Sequence, residues 1–305
     1  MHHIILIYVS NTKEKTEAIN QIGDRATYVD EKYGTHPRNT FDIWLAKSET
    51  QTPLVIYIHG GGFVGGDKSK YYPSEDLVRF LDAGVSVALI NYRFQNDAPY
   101  GILASFNDSK RCLQYIRYNA KKYNIDKTRV ACSGGSAGAG TSLWLAFNDD
   151  MADPQNSDPV LCESTRLTCA GAFETQATYD IYKWSSLLEL PDKITESEEK
   201  IIARAFGFKE VENRNLKQET AIRKKLDLLC QMKKTSAPFF VFNKKRGGFP
   251  TNADELNHHP LHAKALKEQA AKVGAEAIIY APQIGIVDSS GKDVVTFFLE
   301  KLTRQ

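Results

Sequence analysis

The chain has 305 residues, of which 42% are hydrophobic and 25% are charged. This length and composition are ordinary for one large globular domain with a sizeable core. The net charge is +2, from 39 basic and 37 acidic residues, and this balance does not favour a nucleic-acid partner or an anionic membrane surface. No apolar run approaches the length of a membrane-spanning helix, so no stable membrane insertion is expected.

The five cysteines are scattered along the chain without the spacing of a metal site: Cys112, Cys132, Cys162, Cys169 and Cys230. An odd, unpatterned set is typical of free thiols in a reducing compartment. We therefore expect a cytoplasmic protein. The oligomeric state stays open, with a homodimer as one option.

The first predicted elements are strands interrupted by turns and helices. Residues 4–9 form an apolar run that is too short for the core of a signal peptide and favours a strand. A polar helical stretch follows at residues 13–22. Apolar or alternating segments then predict strands at residues 26–29, 41–45, 53–58 and 86–93, with a helix that starts at Ser74.

A run of glycines follows the predicted strand at residues 53–58, in the sequence His-Gly-Gly-Gly at residues 59–62. Consecutive glycines after a buried strand allow backbone N–H groups to point into a cleft and to hold an oxyanion. A phosphate-binding loop is the alternative, but the lysine and hydroxyl of a Walker motif are absent at the required spacing. The run therefore favours an oxyanion hole that uses the N–H groups of Gly61 and Gly62.

Further along, residues 106–123 predict an amphipathic helix and residues 129–135 predict a strand. This strand runs into Gly-Gly-Ser-Ala-Gly at residues 134–138, which fits the G-x-S-x-G pattern. The small residues after it lead into a helix, so Ser136 is predicted to lie on a tight strand-to-helix turn with its hydroxyl above the sheet. The helix N-terminus behind it favours developing negative charge. Ser136 is therefore the predicted nucleophile, and Ala137 supplies a third N–H group to the oxyanion hole.

These two motifs resemble the α/β-hydrolase family, in particular its hormone-sensitive-lipase-like and carboxylesterase branch. The resemblance extends from about residue 27 to the C-terminus. One departure is Gly135, where the common version of the motif has an acidic residue before the serine; it affects neither the nucleophile nor the oxyanion hole. The resemblance implies one α/β-hydrolase domain over residues 1–305, with a helical cap inserted at residues 175–235.

The rest of the chain continues the alternation of strands and helices. Strands are predicted at residues 166–173, 238–242 and 275–280, and helices at residues 262–273 and 293–302; residues 243–260 are predicted to be a loop. Such alternation implies a mainly parallel sheet that is covered on both faces.

A serine nucleophile needs a base, and the base needs an acid to orient it. In this fold the acid follows the nucleophile and the histidine comes last. Asp254 and Glu255 lie after the penultimate strand, and Asp254 fits the spacing better. The histidine is expected after the last strand, but the chain has Ile284 before Gly285 at that point and no histidine beyond His262.

Two interpretations of this missing histidine stay open. In the first, the base has moved to the preceding loop, where His259 is the favoured residue to approach Ser136 and His258 is the alternative. Asp254, Glu255 or Asp288 would orient it. Pro260 would help to position His259, and His262 should already lie on the next helix. The neighbouring histidines are also candidate metal ligands, but no third ligand has suitable spacing, so no metal is expected.

In the second interpretation, the chain is a degenerate hydrolase that binds acylated ligands with little turnover. We favour the first, a serine carboxylic-ester hydrolase that acts on short acyl esters or acetylated small molecules through an acyl-enzyme on Ser136. The resemblance implies that no cofactor is needed. The feature that separates the two interpretations is an imidazole within hydrogen-bond reach of the Ser136 hydroxyl.

Overall fold

The computed structural model of the protein describes residues 26–71, 74–97, 99–191 and 196–303. The predicted strand at residues 4–9 and the predicted helix at residues 13–22 lie outside the described residues. Within the described part of the chain, strands and helices alternate around a single sheet.

In that part the sheet has eight strands, in the order β1-β2-β4-β3-β5-β6-β7-β8. The pairs β1–β2 and β2–β4 are antiparallel, and the remaining neighbours are parallel. Their bounds are β1 Tyr28–Lys32, β2 Thr40–Trp44, β3 Thr52–Ile58, β4 Ser86–Ile90, β5 Ile125–Gly135, β6 Ala170–Phe173, β7 Phe239–Phe242 and β8 Ala277–Tyr280. The predicted mainly parallel α/β architecture is confirmed.

The helices lie between the strands and after the last one. Their bounds are α1 Glu75–Asp82, α2 Ile102–Tyr118, α3 Ala137–Phe147, α4 Trp184–Leu187, α5 Glu196–Ala205, α6 Leu216–Leu226, α7 Leu228–Gln231, α8 Ala253–Asn257, α9 Leu261–Val273 and α10 Val294–Thr303. Short 3₁₀ turns occur at Lys68–Tyr71, Gln95–Asp97, Pro159–Cys162, Ile181–Lys183, Val211–Asn213 and Pro282–Ile284.

Each face of the sheet buries its own apolar core. Along β3, Leu54, Ile56 and Ile58 enter the larger core, whereas Val55 enters the smaller one, because successive strand residues point to opposite faces. Helices α2, α3 and α9 pack on the larger core, and α1 and α10 pack on the smaller one. Ser136 directly follows the carboxyl end of strand β5, whose residues pack into both cores.

Several predicted bounds were wrong in detail. Helix α2 starts at Ile102 and ends at Tyr118, because Gly101 has a left-handed φ of 55° before it and Asn119 caps its end. Strands β4 and β6 are shorter than predicted. The predicted loop at residues 243–260 contains the helix α8, and this difference affects the site directly.

Residues between β6 and β7 hold α4, α5, α6 and α7. Phe206, Ile222 and Leu226 from this segment are buried in the larger core, which attaches the segment to the body of the domain. Its function as a cap over the site stays a prediction.

In the described residues, no helix combines the length and the apolar character needed to cross a lipid bilayer. All five cysteines are free thiols.

Candidate active site

Ser136 occupies the sharp turn between β5 and α3. Its φ of 53° is positive, which is uncommon and costly for a residue with a side chain. The Ser136 N–H donates to the Phe173 carbonyl at 2.8 Å, and the Ser136 carbonyl accepts from the N–H of Gly140 at 3.0 Å. These bonds hold the strained turn in place, as the sequence predicts for a nucleophile on a strand-to-helix turn.

The two outer glycines of the motif are required by close approach of backbone atoms. A Cβ on Gly134 would lie 2.4 Å from the Ile58 carbonyl oxygen, and one on Gly138 would lie 1.9 Å from the same atom. No L-residue with a side chain fits these contacts without a backbone shift. The turn therefore packs directly against the end of β3.

The glycine loop after β3 lies beside this turn. A Cβ on Gly60 would lie 3.4 Å from the Cβ of Ser136 and 2.9 Å from the Gly135 oxygen. Gly61 and Gly62 both have positive φ, 115° and 60°. The first N–H groups of α3 have no partner within the helix, and the N–H of Ala137 is one of them. The glycine loop and the start of α3 thus both lie next to Ser136.

His59 supports the loop from inside the protein. It is fully buried, stacks on Tyr92 with 4.3 Å between ring centroids, and its Nε2 accepts a hydrogen bond from Arg38 at 3.2 Å. Its Nδ1 therefore carries the proton and donates to the Gly60 carbonyl at 2.6 Å. Burial lowers the pKa of His59 to about 4, so this ring is neutral at physiological pH.

His258 lies next to the Ser136 hydroxyl. Its Nε2 is 2.7 Å from Ser136 Oγ, and its Nδ1 is 2.8 Å from Asp254 Oδ1. Because the carboxylate can only accept, Nδ1 donates to Asp254 and Nε2 is left to accept the proton of the serine hydroxyl. The three side chains thus have the geometry of a nucleophile, base and orienting acid.

Asp254 and His258 are four residues apart around α8. Asn252 caps this helix by accepting from the Glu255 N–H at 3.0 Å, and the His258 N–H donates to the Asp254 carbonyl at 3.0 Å. Residues at this spacing share one helix face, so the acid and the imidazole meet side by side. The short helix explains how one loop supplies both groups.

Two amide side chains fix the end of α8. Gln176 donates to the Asn257 carbonyl at 2.6 Å, and Asn243 donates to the His258 carbonyl at 2.9 Å. These carbonyls have no partner within such a short helix. The two bonds tie α8 to the segments that follow β6 and β7.

His259, favoured over His258 as the base from the sequence, lies elsewhere. Its Nε2 donates to the Gly248 carbonyl at 2.8 Å and its Nδ1 accepts from the Leu261 N–H at 3.3 Å, so both ring nitrogens are occupied away from Ser136. His262 is fully buried on α9, as its predicted helical position implies, and burial lowers its pKa to about 3. Of these three histidines, only His258 reaches the serine.

The other acids named from the sequence have different contacts. Glu255 accepts from the N–H and hydroxyl of Thr251, and Asp288 accepts from the N–H of Ser290. Ile284, which replaces the expected histidine, ends the 3₁₀ turn Pro282–Ile284. The position after β8 thus holds an apolar residue, and the position after β7 holds the imidazole.

A cavity of about 370 Å³ opens beside the serine. It is lined by Gly60, Gly135, Ser136, Phe173, Glu174, Phe242, Lys244 and His258. Phe173 and Phe242, whose ring centroids are 6.4 Å apart, give it an apolar wall, and Glu174 and Lys244 give it charged groups. Gly61 and Gly62 follow Gly60 in the same loop and are not part of this lining.

Sequence reasoning missed α8 and the polar residues that hold it. Two signals in the sequence point to this helix: Asn252 with Glu255 three residues later, which resembles a capping pattern, and the spacing of Asp254 and His258. Gln176 carries no comparable signal, because its contact with Asn257 joins positions that are 81 residues apart. Asn243 is only 15 residues from His258, but no local pattern marks their contact.

The parallel sheet, the serine turn after β5 and the glycine loop after β3 define an α/β-hydrolase. The BD-FAE model, which describes an α/β-hydrolase family, matches residues 41–247, more than half of the chain, and the chain belongs to this family. The match includes the glycine loop and Ser136 and ends before Asp254 and His258.

Relatives of known name are esterases that match over part of their length. A probable isoprenylcysteine alpha-carbonyl methylesterase, ICMEL1 of Arabidopsis thaliana, is 23% identical over 288 residues, covering 88% of this chain and 55% of that protein. Carboxylesterase NlhH of Mycobacterium tuberculosis is 30% identical over 103 residues, covering 34% of this chain and 31% of that protein. The chain thus spans about half or less of the length of these relatives.

Among solved structures, a truncated carbohydrate esterase from gut microbiota superposes with a TM-score of 0.67 at 18% identity. The superposition covers 91% of this chain and 96% of that one. This likeness confirms the fold.

Proposed function

We propose that this protein is a serine carboxylic-ester hydrolase that forms an acyl-enzyme on Ser136. The observation that carries the proposal is the hydrogen bond of 2.7 Å between Ser136 Oγ and His258 Nε2, with Asp254 at 2.8 Å from the other ring nitrogen. A serine hydroxyl becomes an effective nucleophile only when a neighbouring base takes its proton. His258 meets that requirement from the loop after β7.

The proposed reaction has two halves. Ser136 Oγ attacks the ester carbonyl carbon while His258 Nε2 takes its proton, and the imidazolium then gives the proton to the departing alcohol. A water molecule next gives a proton to His258 Nε2 and attacks the acyl carbon. The imidazolium then gives that proton to Ser136 Oγ as the bond between Oγ and the acyl carbon breaks, which releases the acid and regenerates the serine. Asp254 holds the ring in the required tautomer and stabilises its positive charge in both halves.

Negative charge develops on the carbonyl oxygen in each tetrahedral intermediate. We propose that the backbone N–H groups of Gly61, Gly62 and Ala137 donate to this oxygen. The loop packs against the Ser136 turn, and a helix N-terminus favours an anion at that place. Removing one such donor typically costs about 10²–10³-fold in kcat.

The substrates we propose are short acyl esters and acetylated small molecules. The cavity of about 370 Å³ suits a small acyl group against Phe173 and Phe242. The carbohydrate esterase among the similar structures supports an acyl group on a larger alcohol. The methylesterase among the relatives is named for the opposite arrangement, in which the alcohol is the small part of the ester.

We further propose that residues 175–235 act as a cap beside this cavity and that the protein is cytoplasmic. Five free thiols support a reducing compartment. Cell fractionation tests the location, and light scattering decides between a 34.2 kDa monomer and a homodimer.

The alternative, binding without turnover, is not favoured, since an imidazole lies within reach of the serine. A direct test compares hydrolysis of p-nitrophenyl acetate by the wild type, Ser136→Ala and Ser48→Ala, the last an exposed serine in the loop after β2. Ser136→Ala is expected to lower kcat by about 10³-fold or more, and Ser48→Ala is expected to match the wild type.

A fluorophosphonate probe provides the second readout, because it reacts with an activated serine. Mass spectrometry of the labelled protein should find the probe on Ser136. A wild type that is no faster than Ser136→Ala, and whose serine is not labelled, would contradict the proposal.

A further inference from the structure

The acid beside His258 is unusually exposed for a group that must hold an imidazole. The Asp254 side chain is 59% exposed, whereas that of His258 is 14% exposed. Its helix, α8, has only five residues and is not stable on its own. A carboxylate in such a place rotates and exchanges hydrogen bonds with water unless another group restrains it.

Lys245 is placed to supply that restraint. Its Nζ lies 2.6 Å from Asp254 Oδ2, the oxygen that does not face His258. The two Asp254 oxygens are thus divided, Oδ1 to the imidazole and Oδ2 to the ammonium. A carboxylate bound at both oxygens has one orientation, and that orientation faces Oδ1 toward the ring.

The backbone of Lys245 is fixed relative to His258 through one buried side chain. Asn243, only 1% exposed at the end of β7, accepts from the Lys245 N–H at 2.9 Å and donates to the His258 carbonyl at 2.9 Å. The backbones of Lys245 and His258 are therefore hydrogen-bonded to the same side-chain amide. The ammonium contacts Oδ2 and the ring contacts Oδ1, so the two groups bind different oxygens of Asp254.

The remaining charges near Asp254 do not replace Lys245. Glu255, the neighbouring acid on α8, is negative like Asp254, and the two carboxylates repel each other. Glu174 is also an acid, and its Oε2 lies 3.8 Å from Lys245 Nζ. His258 is positive only when protonated. Lys245 thus provides the permanent positive charge in direct contact with Asp254, and this contact is the main cause of the lowered pKa of that carboxyl.

We propose that Lys245 is a positioning residue of the site, which holds the Asp254 carboxylate in the orientation that serves His258. The inference rests on the proposed function. Lys245 does not line the cavity beside Ser136, so it acts on the imidazole through Asp254 and not on the substrate. Its loss lowers kcat and leaves KM unchanged.

The exposed position of the pair adds a salt dependence. Attraction between charges in contact with solvent is screened as ionic strength rises. The wild type therefore loses kcat between about 0.05 and 0.5 M NaCl, and a variant without the ammonium shows a flatter dependence.

The test measures kcat and KM for p-nitrophenyl acetate with Lys245→Met, Lys245→Arg, Asp254→Asn and the double variant. Lys301→Met is the matched control, because Lys301 Nζ lies 2.6 Å from Glu276 Oε1 and that glutamate side chain is also 59% exposed. Glu276 lies at the amino end of the parallel strands, just before β8, whereas Ser136 lies at their carboxyl end, just after β5. Circular dichroism checks that each variant is folded.

We expect Lys245→Met to lower kcat about tenfold at constant KM, with Lys245→Arg within about threefold of the wild type and Lys301→Met unchanged. In the Asp254→Asn background, Lys245→Met should have no further effect, because the group it acts through is gone. Two results would overturn this inference but not the proposed function. One is a kcat of Lys245→Met within about twofold of that of an active wild type, and the other is a further tenfold loss of kcat when Lys245→Met is added to Asp254→Asn. A wild type without hydrolysis would overturn the proposed function and this inference together.

Discussion

At Ser136 the backbone holds a conformation that costs free energy, with φ 53° and ψ −116°. Such strain is typical of functional sites, where the surroundings impose a geometry that the residue would not adopt alone. The close packing of Gly134 and Gly138 on Ile58 and the bond to the Phe173 carbonyl impose it here. The result is a hydroxyl that faces His258.

The glycine loop offers a test at the same scale. A Cβ on Gly61 would lie 2.1 Å from the Gly65 oxygen, and Gly61 has a φ of 115°, which a side chain makes unfavourable. We expect Gly61→Ala to displace the loop and to lower kcat/KM for p-nitrophenyl acetate about 10²-fold.

Gly65→Ala is the matched control in the same loop, because a Cβ there meets no atom within 4 Å. It should stay within about threefold of the wild type, since an unhindered substitution at this half-buried position changes little. Equal activity of Gly61→Ala and the wild type would contradict an oxyanion role for this loop.

At the scale of elements, α8 is the feature that sets this site apart from the pattern expected for the fold. Asp254 lies on the five-residue helix α8 and His258 directly follows it, while the turn after β8 holds Ile284. Strand β7 is one strand closer to β5 than β8 is, and adjacent strands are about 4.8 Å apart. A histidine after β7 therefore reaches Ser136 from a nearer strand.

The sequence predicted some parts of this site and not others, for physical reasons. Ser136 and the glycine loop could be predicted, because a tight turn and a close backbone approach require particular residue types in a local pattern. The choice between His258 and His259 could not be made from local sequence. Successive residues point in different directions, and only the formation of α8 fixes which ring faces the serine.

The predicted start of strand β6 was wrong because it, too, depends on contacts with other parts of the chain. In residues 166–169, Leu167 and Cys169 alternate with polar residues as in a strand, but β6 pairs with both neighbours only from Ala170 to Phe173. Pairing with neighbours, and not residue preference, sets where a strand begins.

On the scale of the whole molecule, the site lies at the carboxyl ends of four adjacent parallel strands. Gly60 follows β3, Ser136 follows β5, Glu174 follows β6 and Lys244 follows β7. Open parallel sheets bind ligands at this edge, because the loops that leave it surround a crevice. The two cores below keep these strand ends in register.

The buried histidines His59 and His262 predict how the whole fold responds to acid. Burial lowers their pKa to about 4 and about 3, below the value of about 6.5 in an unfolded chain. Each is neutral when folded, so its contribution is complete above about pH 6.5 and is lost as the pH falls and the unfolded chain takes up protons. When the pH falls from 7 to 5, the free energy of unfolding should decrease by about 2 kcal/mol for each of the two histidines.

Urea unfolding at pH 7 and pH 5 measures this effect. The wild type should lose stability over this interval, and His262→Leu should lose less, because the titrating group has been removed. Equal losses in both proteins would contradict the assignment of His262 as a buried neutral ring.

The central claim is that His258, and not the histidine expected after β8 or its neighbour His259, serves Ser136. The most direct measurement is kcat for p-nitrophenyl acetate with His258→Ala and His259→Ala, normalised to folded protein. We predict that His258→Ala loses about 10³-fold or more, whereas His259→Ala stays within about tenfold, because the His259 ring bonds Gly248 and Leu261 instead. Full activity of His258→Ala, or a larger loss in His259→Ala, would contradict the account.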